Sequence, residues 1–345
     1  MTGRSVVRYL SLAAMLYGST IAPAASAPPR PAAADASMTT LLAYLRDQNS
    51  TGFLVVQDGR ILVEKNWDPP AGDRQFPLFV HGRAANGALL EDVASQQKSF
   101  VAVLAAIAVD KGLIRIEQPV SAYLGRGWSK ATPDQEAKIR VLDLLQMSSG
   151  LDERFGYAAP VGASFFYNTP VYAVCKRILA AAAGQPLEVI TRDWLTGPAG
   201  MNDTAWRTRP AAMAGIGNDT GLVTTPRDTA VFGQLILANG VAKNGQRIVS
   251  ESGLRAMFER APTNPAYGRL WWLNGGDYRI GALGGRQPGP LVAAAPADMV
   301  AAFGALTRRL YIVRSRKMVV VRTGAAAPDP GFDQQLWLRL NAAIR

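Results

Sequence analysis

Residues 92–100 of the chain read DVASQQKSF, and they begin the most clearly patterned helix in the sequence. Apolar side chains continue at helical spacing beyond this segment, and the pair at 111–112, Lys-Gly, supplies a basic last turn and a glycine stop. We therefore predict a helix with Asp92 as its N-cap. Ser95 and Lys98 are three residues apart, so their side chains share a face near the positive end of the helix dipole. A hydroxyl beside an amine there is a candidate nucleophile and base.

Ser95 and Lys98 can react only if Lys98 is uncharged and a second proton-transfer group lies nearby. Serine is a weak nucleophile until a base removes its proton, and Lys98 can do so only when it is uncharged. Burial or a neighbouring cation would lower the pKa of its amine and favour that form. Tyr167, in the segment FFYNT at 165–169, is a candidate for the second proton-transfer group. Either Lys98 or the Tyr167 phenolate could accept the Ser95 proton, and taken alone Tyr167 could equally be an aromatic packing residue.

Composition excludes several other functions. The 345 residues are 48% hydrophobic and 18% charged, as in an ordinary globular protein, and the net charge of +11 is spread along the chain. Without a Lys/Arg-rich run, we expect no nucleic-acid partner. A single cysteine, Cys175, and a single histidine, His81, exclude an intramolecular disulfide and a His/Cys metal cluster. We interpret Cys175 as a buried apolar residue and His81 as a residue without chemistry, and we expect no metal or organic cofactor.

The N-terminus has the pattern of an export signal. Arg4 and Arg8 precede an apolar run, and Ala25-Ser26-Ala27 fits a cleavage site, so we predict a signal peptide at 1–27. Its removal would lower the net charge from +11 to +9, because Arg4 and Arg8 are lost with it. A Pro/Ala-rich linker at 28–37 is predicted to follow. The mature protein is expected to be periplasmic or secreted, without stable insertion in a membrane.

The pattern of strands and helices predicts an α+β fold. Asp58-Gly59 lies between two alternating apolar segments and indicates a hairpin, and strands recur near the C-terminus at 310–313 and 318–322. Helical patterns dominate the middle. We therefore predict an antiparallel sheet formed by strands from both chain ends and flanked by helices, with a mostly helical lobe inserted in the middle. In a single domain at 38–345, the α/β lobe would cover about 38–110 and 265–345, and the helical lobe about 111–264.

Several short segments, taken in order, resemble a known family. Besides DVASQQKSF and FYNT, the chain contains LLQMSSGL at 144–151, PAGM at 198–201 and GLVTTPRD at 221–228. With these motifs, roughly residues 50–325 resemble the class C β-lactamase and serine-hydrolase family. That family includes penicillin-binding-protein-like esterases and 6-aminohexanoate-dimer hydrolases.

The resemblance implies a β-lactamase/transpeptidase-like fold and a mechanism. Ser95 would attack a carbonyl carbon and form an acyl-enzyme, with Lys98 and Tyr167 as base and proton shuttle. The developing oxyanion needs two backbone N–H donors. Ser95 would supply one, and the family's facing strand implies Ala305 as the other, with Gly304 allowing close approach.

Two departures from the family pattern bear on the substrate. The segment AFGA at 302–305 lacks the lysine or histidine with which β-lactam-processing relatives hold a substrate carboxylate, although Arg308 or Arg309 could substitute. Thr169 stands where many relatives have asparagine. Here, and in YGRLWW at 267–272, the chain is more similar to the 6-aminohexanoate-dimer hydrolases. We therefore name four substrate-binding candidates, of which the two tryptophans could also be core residues: Thr169, Gly304, Trp271 and Trp272.

Three functions are consistent with these motifs. The first is an exported serine hydrolase that cleaves a small ester or amide. The second is a β-lactamase or D-alanyl-D-alanine carboxypeptidase. The third is a non-catalytic cell-wall-binding relative that retains the fold, although intact Ser95, Lys98 and Tyr167 disfavour it.

Overall fold

The computed structural model describes residues 32–344, so the predicted signal peptide and the start of the predicted linker lie outside the described residues. The first helix, α1, spans Ala32–Asp47 and thus begins inside the predicted linker. Within the described residues, no helix has the length and apolar character needed to cross a membrane.

Strands from both chain ends form the main sheet, as the sequence predicted. Its order is β2-β1-β12-β11-β10-β7, and every neighbouring pair is antiparallel. Strands β1, β11 and β12 are buried along nearly their whole length, because helices cover both faces. The predicted hairpin turn is present, with positive φ angles at Asp58 and Gly59. The six strands are β1 (Ser50–Gln57), β2 (Arg60–Asn66), β7 (Trp272–Leu273), β10 (Met299–Gly304), β11 (Arg308–Val313) and β12 (Met318–Gly324).

Two smaller sheets were not predicted. One has the order β3-β4-β6-β5, and the other is a separate two-stranded ribbon of β8 and β9. Of the segment at 267–273, only β7 joins the main sheet, and β8 pairs with β9 within the ribbon. These strands are β3 (Val80–Arg83), β4 (Leu89–Asp92), β5 (Ala205–Thr208), β6 (Thr220–Thr224), β8 (Tyr278–Gly281) and β9 (Gly284–Pro288).

The middle of the chain is mostly helical, as predicted. Its longest helix begins where the Asn168 side chain accepts a hydrogen bond from the Val171 amide at 3.1 Å, and it ends at Gly184 with a left-handed conformation. The helices are α2 (Gln97–Asp110), α3 (Ser121–Leu124), α4 (Pro133–Glu136), α5 (Val141–Leu145), α6 (Thr169–Ala183), α7 (Leu187–Thr191), α8 (Gly197–Ala199), α9 (Pro226–Leu237), α10 (Glu251–Met257) and the C-terminal α11 (Phe332–Ala343).

The start of the nucleophile helix differs from the prediction. Asp92 is not a helix N-cap but the last residue of β4, and Ser95 lies in a 3₁₀ turn at Ala94–Gln96 that leads into α2. The Asp92 carboxylate accepts a hydrogen bond from the Ala94 amide at 2.8 Å and forms an ion pair with Arg209. Because strand pairing of Asp92 with Val223 fixes the end of β4, the chain must turn sharply before Ser95. Ala94 accordingly has a φ of 50°.

A second buried ion pair ties β4 to the main sheet. Glu91 forms an ion pair with Arg308 of β11 at 2.9 Å, and both side chains are fully buried. The Thr51 hydroxyl of β1 donates a hydrogen bond to the same carboxylate. Since side chains alternate along a strand, Glu91 and Asp92 point to opposite faces of β4. The strand that precedes the nucleophile is therefore fixed from both sides.

Candidate active site

The structure brings Ser95, Lys98 and Tyr167 together. Ser95 Oγ lies 2.8 Å from Lys98 Nζ, as the i,i+3 spacing predicts. Tyr167, from the loop before α6, forms a side-chain hydrogen bond with Ser95, and its ring centre is 4.7 Å from Lys98 Nζ. An alcohol, an amine and a phenol from two distant parts of the chain thus share one site.

The surroundings of Lys98 favour its uncharged form. Its side chain is only 2% exposed, and its amine lies 4.7 Å from the ring centres of both Tyr167 and Tyr172. Burial, together with the positive charges of Arg209 and Lys176, lowers the pKa of Lys98 well below its ordinary value. Among the described residues, no carboxylate forms an ion pair with Lys98 that would restore its charge. An uncharged amine beside a serine hydroxyl can accept its proton.

Tyr167 has the complementary property of a proton donor. Burial raises the pKa of Tyr167 to about 12, against the opposing effect of its hydrogen bond with Ser95. Its ring stacks on Trp272 at 5.6 Å between centres, and Trp272 in turn stacks on Phe303 at 6.0 Å. The phenol therefore keeps its proton near neutral pH in a fixed orientation.

The end of β10 passes directly against the residues that precede Ser95. A Cβ atom on Gly304 would lie 2.3 Å from the Val93 carbonyl oxygen, so only glycine fits this approach. Ala305, the next residue, is exposed and begins the turn into β11. The backbone amides of Ser95 and Ala305 remain the candidate donors to an oxyanion.

Neither arginine proposed as a carboxylate-binding substitute is free. Arg308 is fully buried against Glu91, and Arg309 forms a bidentate pair with Asp333 at 2.7 and 3.1 Å. The Arg309 guanidinium also lies 4.3 Å from the ring centre of Phe303. Both cations are therefore occupied by interactions within the fold.

The remaining substrate-binding candidates have different environments. Thr169 Oγ1 lies 3.2 Å from Lys98 Nζ, so this residue contacts the Lys98 amine. Trp272 is 5% exposed and contacts Tyr167. Trp271, by contrast, has no exposed surface and packs against Phe232 and Phe258 in the core, which does not support a role in binding substrate.

Three residues around Lys98 were not identified from the sequence. Arg209 and Lys176 place positive charge near its amine, and Tyr172 supplies the second aromatic ring. One signal was present in the sequence, since Lys176 and the exposed Arg177 interrupt the otherwise apolar run of α6 next to Cys175. A lysine on the buried face of an apolar helix is unusual and indicates a specific environment.

Comparison with known families agrees with this fold. The family model described as Beta-lactamase matches residues 39–331, which is most of the chain. The chain therefore belongs to the β-lactamase family of serine hydrolases, whose fold is that of the penicillin-binding proteins. No curated protein is detectably similar in sequence.

Solved structures show the same fold at low sequence identity. A candidate β-lactamase from Bacteroides dorei is 16% identical with a TM-score of 0.67, covering 88% of this chain and 96% of that one. A candidate 6-aminohexanoate-dimer hydrolase from Bacillus anthracis is 19% identical with a TM-score of 0.63, covering 88% and 81%. A β-lactamase/D-alanine carboxypeptidase from Yersinia pestis is 15% identical with a TM-score of 0.62, covering 90% and 97%.

The close contact between Gly304 and the Val93 carbonyl predicts that a side chain at position 304 lowers activity. In Gly304→Ala the new methyl group would meet the Val93 carbonyl oxygen, and we expect the end of β10 to move away from Ser95. Displacing an oxyanion donor by this route should lower kcat for an activated ester by about 100-fold or more. Gly281→Ala is the control, because the nearest atom to its Cβ would be 3.9 Å away. Full turnover by folded Gly304→Ala would contradict this geometry.

The lowered pKa of Lys98 predicts an effect on stability. Between this lowered pKa and the ordinary value of 10.5, the unfolded chain binds a proton on this amine that the folded protein does not, so wild-type stability rises with pH across this window. We expect Lys98→Met to be more stable than wild type at pH 7, by a margin that shrinks towards pH 10. Urea unfolding at several pH values measures this, with exposed Lys65→Met as the control. A margin that does not change with pH would contradict the assignment.

Proposed function

We propose that this protein is an exported serine hydrolase that cleaves a small ester or amide through an acyl-enzyme on Ser95. The observation that carries the proposal is the 2.8 Å contact between Ser95 Oγ and the buried Lys98 amine. Membership of the β-lactamase family supports a hydrolytic reaction.

Acylation begins when Ser95 Oγ attacks the substrate carbonyl carbon and its proton passes to Lys98 Nζ. The carbonyl oxygen gains negative charge, which the Ser95 and Ala305 amides stabilise. As the carbonyl re-forms, the bond to the leaving oxygen or nitrogen breaks. Tyr167 is well suited to give that leaving group its proton, because its hydroxyl is protonated near neutral pH and adjoins Ser95.

Deacylation repeats these steps with water as the nucleophile. The proton on Lys98 first passes to the ionised Tyr167, which restores the uncharged amine, and water then attacks the acyl carbon as its proton passes to Lys98. The bond to Ser95 Oγ then breaks, and the oxygen recovers a proton. The free acid leaves, and the three side chains return to their starting forms.

The charges around the site favour a substrate without a carboxylate beside the scissile bond. The segment at 302–305 has no cationic side chain, and both Arg308 and Arg309 are engaged with acidic residues. Aromatic rings of Tyr167, Trp272 and Phe303 form a stacked layer near the nucleophile. An uncharged ester or amide suits these surroundings better than an anionic β-lactam.

Covalent labelling and a pair of chromogenic substrates test this function. We expect a fluorophosphonate to label the wild-type protein and not Ser95→Ala, and a short-chain p-nitrophenyl ester to be hydrolysed at least about 100-fold faster by wild type. Ser99→Ala is the matched control, since Ser99 lies on the same helix and donates to the Leu270 carbonyl oxygen.

The outcomes separate the alternatives. Equal labelling of wild type and Ser95→Ala would refute the acyl-enzyme and favour a binding protein. Turnover of a chromogenic cephalosporin without turnover of the ester would favour a β-lactamase or D-alanyl-D-alanine carboxypeptidase.

Export is a separate prediction that follows from the basic and apolar pattern of residues 1–27. Expressed with its full sequence in a Gram-negative host, the protein is expected in the periplasmic fraction with its first residue near 28. N-terminal sequencing measures this directly. A chain that keeps residues 1–27 and remains in the cytoplasm would contradict export.

A further inference from the structure

A second buried lysine lies behind the candidate active site. Lys176, on α6, is 8% exposed, and its amine is 6.0 Å from the ring centre of Tyr172. The amine of Lys98 is 4.7 Å from the centre of the same ring. The two lysines therefore contact one aromatic side chain, with only Lys98 next to the nucleophile.

The hydrogen-bond partners of the two amines differ in kind. Lys176 Nζ contacts three oxygens: Asn218 Oδ1, the Thr220 carbonyl oxygen at 3.1 Å and Thr220 Oγ1 at 2.7 Å. The amide and carbonyl oxygens can only accept, and an ammonium has three donors and no acceptor. The three oxygens around Lys176 Nζ therefore match the donors of a charged ammonium. The partners of Lys98, by contrast, are the hydroxyls of Ser95 and Thr169, which can donate to an uncharged amine.

We propose that Lys176 is a positioning residue whose ammonium, held by Asn218 and Thr220 behind Tyr172, keeps the Lys98 amine free of a proton. Two like charges in a shared low-dielectric region disfavour one another, so a proton fixed on Lys176 opposes a second one on Lys98. This inference rests on the proposed function, in which Lys98 accepts the Ser95 proton.

The other charges around Lys176 leave this effect in place. Arg209 is also positive, and the buried carboxylate of Asp92, which favours the charged form of Lys176, is engaged in a bidentate pair with it. Asp219 and Glu188 are exposed, so water and salt screen them. Burial and Arg209 lower the pKa of Lys176 to about 7, against the opposing effect of these carboxylates. Lys176 is consequently charged on the acidic side of neutrality, where Lys98 most needs protection from protonation.

A purely structural role is the alternative. Lys176 joins α6 to β6 through Thr220, and Asn218 also accepts a hydrogen bond from Arg209 through its main-chain oxygen at 3.0 Å. Loss of such a tie would lower activity by a similar factor at every pH. Loss of a charge would instead move the pH at which activity falls.

The test is the pH dependence of Ser95 labelling by a fluorophosphonate and of ester kcat/KM, measured from about pH 5 to 9. In Lys176→Met we expect the acidic limb of both profiles to move to higher pH by about one unit. The variant would then react about ten-fold more slowly than wild type at the acidic end and equally fast near pH 9. Lys176→Arg should keep the wild-type limb. Lys111→Met is the matched control, because Lys111 is an exposed lysine that also lies over a tryptophan ring, Trp194, at 5.3 Å.

Asn218→Asp gives a second, nearly isosteric test that keeps Lys176. A carboxylate at this contact would neutralise the ammonium, so the acidic limb should again move up. The inference would be overturned if the acidic limbs of folded Lys176→Met and of Asn218→Asp lay at the wild-type pH. It would also be overturned if these variants lost activity by the same factor at every pH. Failure of wild type to label, or equal labelling of Ser95→Ala, would instead overturn the proposed function.

Discussion

The ion pair between Asp92 and Arg209 fixes the point at which the chain turns into the nucleophile. Arg209 Nε and Nη2 lie 2.8 and 3.1 Å from the two carboxylate oxygens, and one of these oxygens also accepts the Ala94 amide. That amide belongs to a non-glycine residue with positive φ, a conformation that costs on the order of 1–3 kcal/mol and persists only where its surroundings require it. Gly221 completes the fit, because a Cβ there would lie 2.0 Å from the Asp92 carboxylate. The same arginine that orients the turn also places a positive charge near Lys98. The backbone geometry before Ser95 and the protonation of the Lys98 amine therefore depend on one interaction.

Two buried polar groups at this site lower the free energy of unfolding. Lys98 is buried without a carboxylate, and the Tyr172 hydroxyl beside it is buried with no hydrogen-bond partner among the described residues. Such groups cost free energy in proportion to their lost hydration. The apolar layers on both sides of the main sheet offset that cost, for example through the stack of Phe100 on Phe232 at 3.8 Å between ring centres. Phe100 lies on α2, so the helix that contains the costly lysine is also anchored in the core.

Local sequence patterns were sufficient for the elements and residues whose geometry is local. The hairpin turn at Asp58-Gly59 and the shared face of Ser95 and Lys98 depend on residues a few positions apart. Asp92 was misread because an aspartate before an apolar helical run has the pattern of an N-cap. Only its pairing with the distant Val223 of β6 shows that it ends a strand. The choice between Trp271 and Trp272 was open for a similar reason. Adjacent strand residues face opposite sides, and the pairing of Trp272 with Ala301 decides which one reaches Tyr167.

Burial acts on the two proton-transfer groups in opposite senses, and this divides their roles. Removing water penalises the charged form of each, so the pKa of Lys98 falls while the pKa of Tyr167 rises to about 12. Burial therefore favours an uncharged amine, which is suited to accept a proton, and an uncharged phenol, which is suited to donate one. In the proposed mechanism, charge develops when Ser95 transfers its proton, as an ammonium on Lys98 and an oxyanion at the backbone amides. The stacked rings of Tyr167, Trp272 and Phe303 place apolar groups around the phenol, which favours its uncharged form.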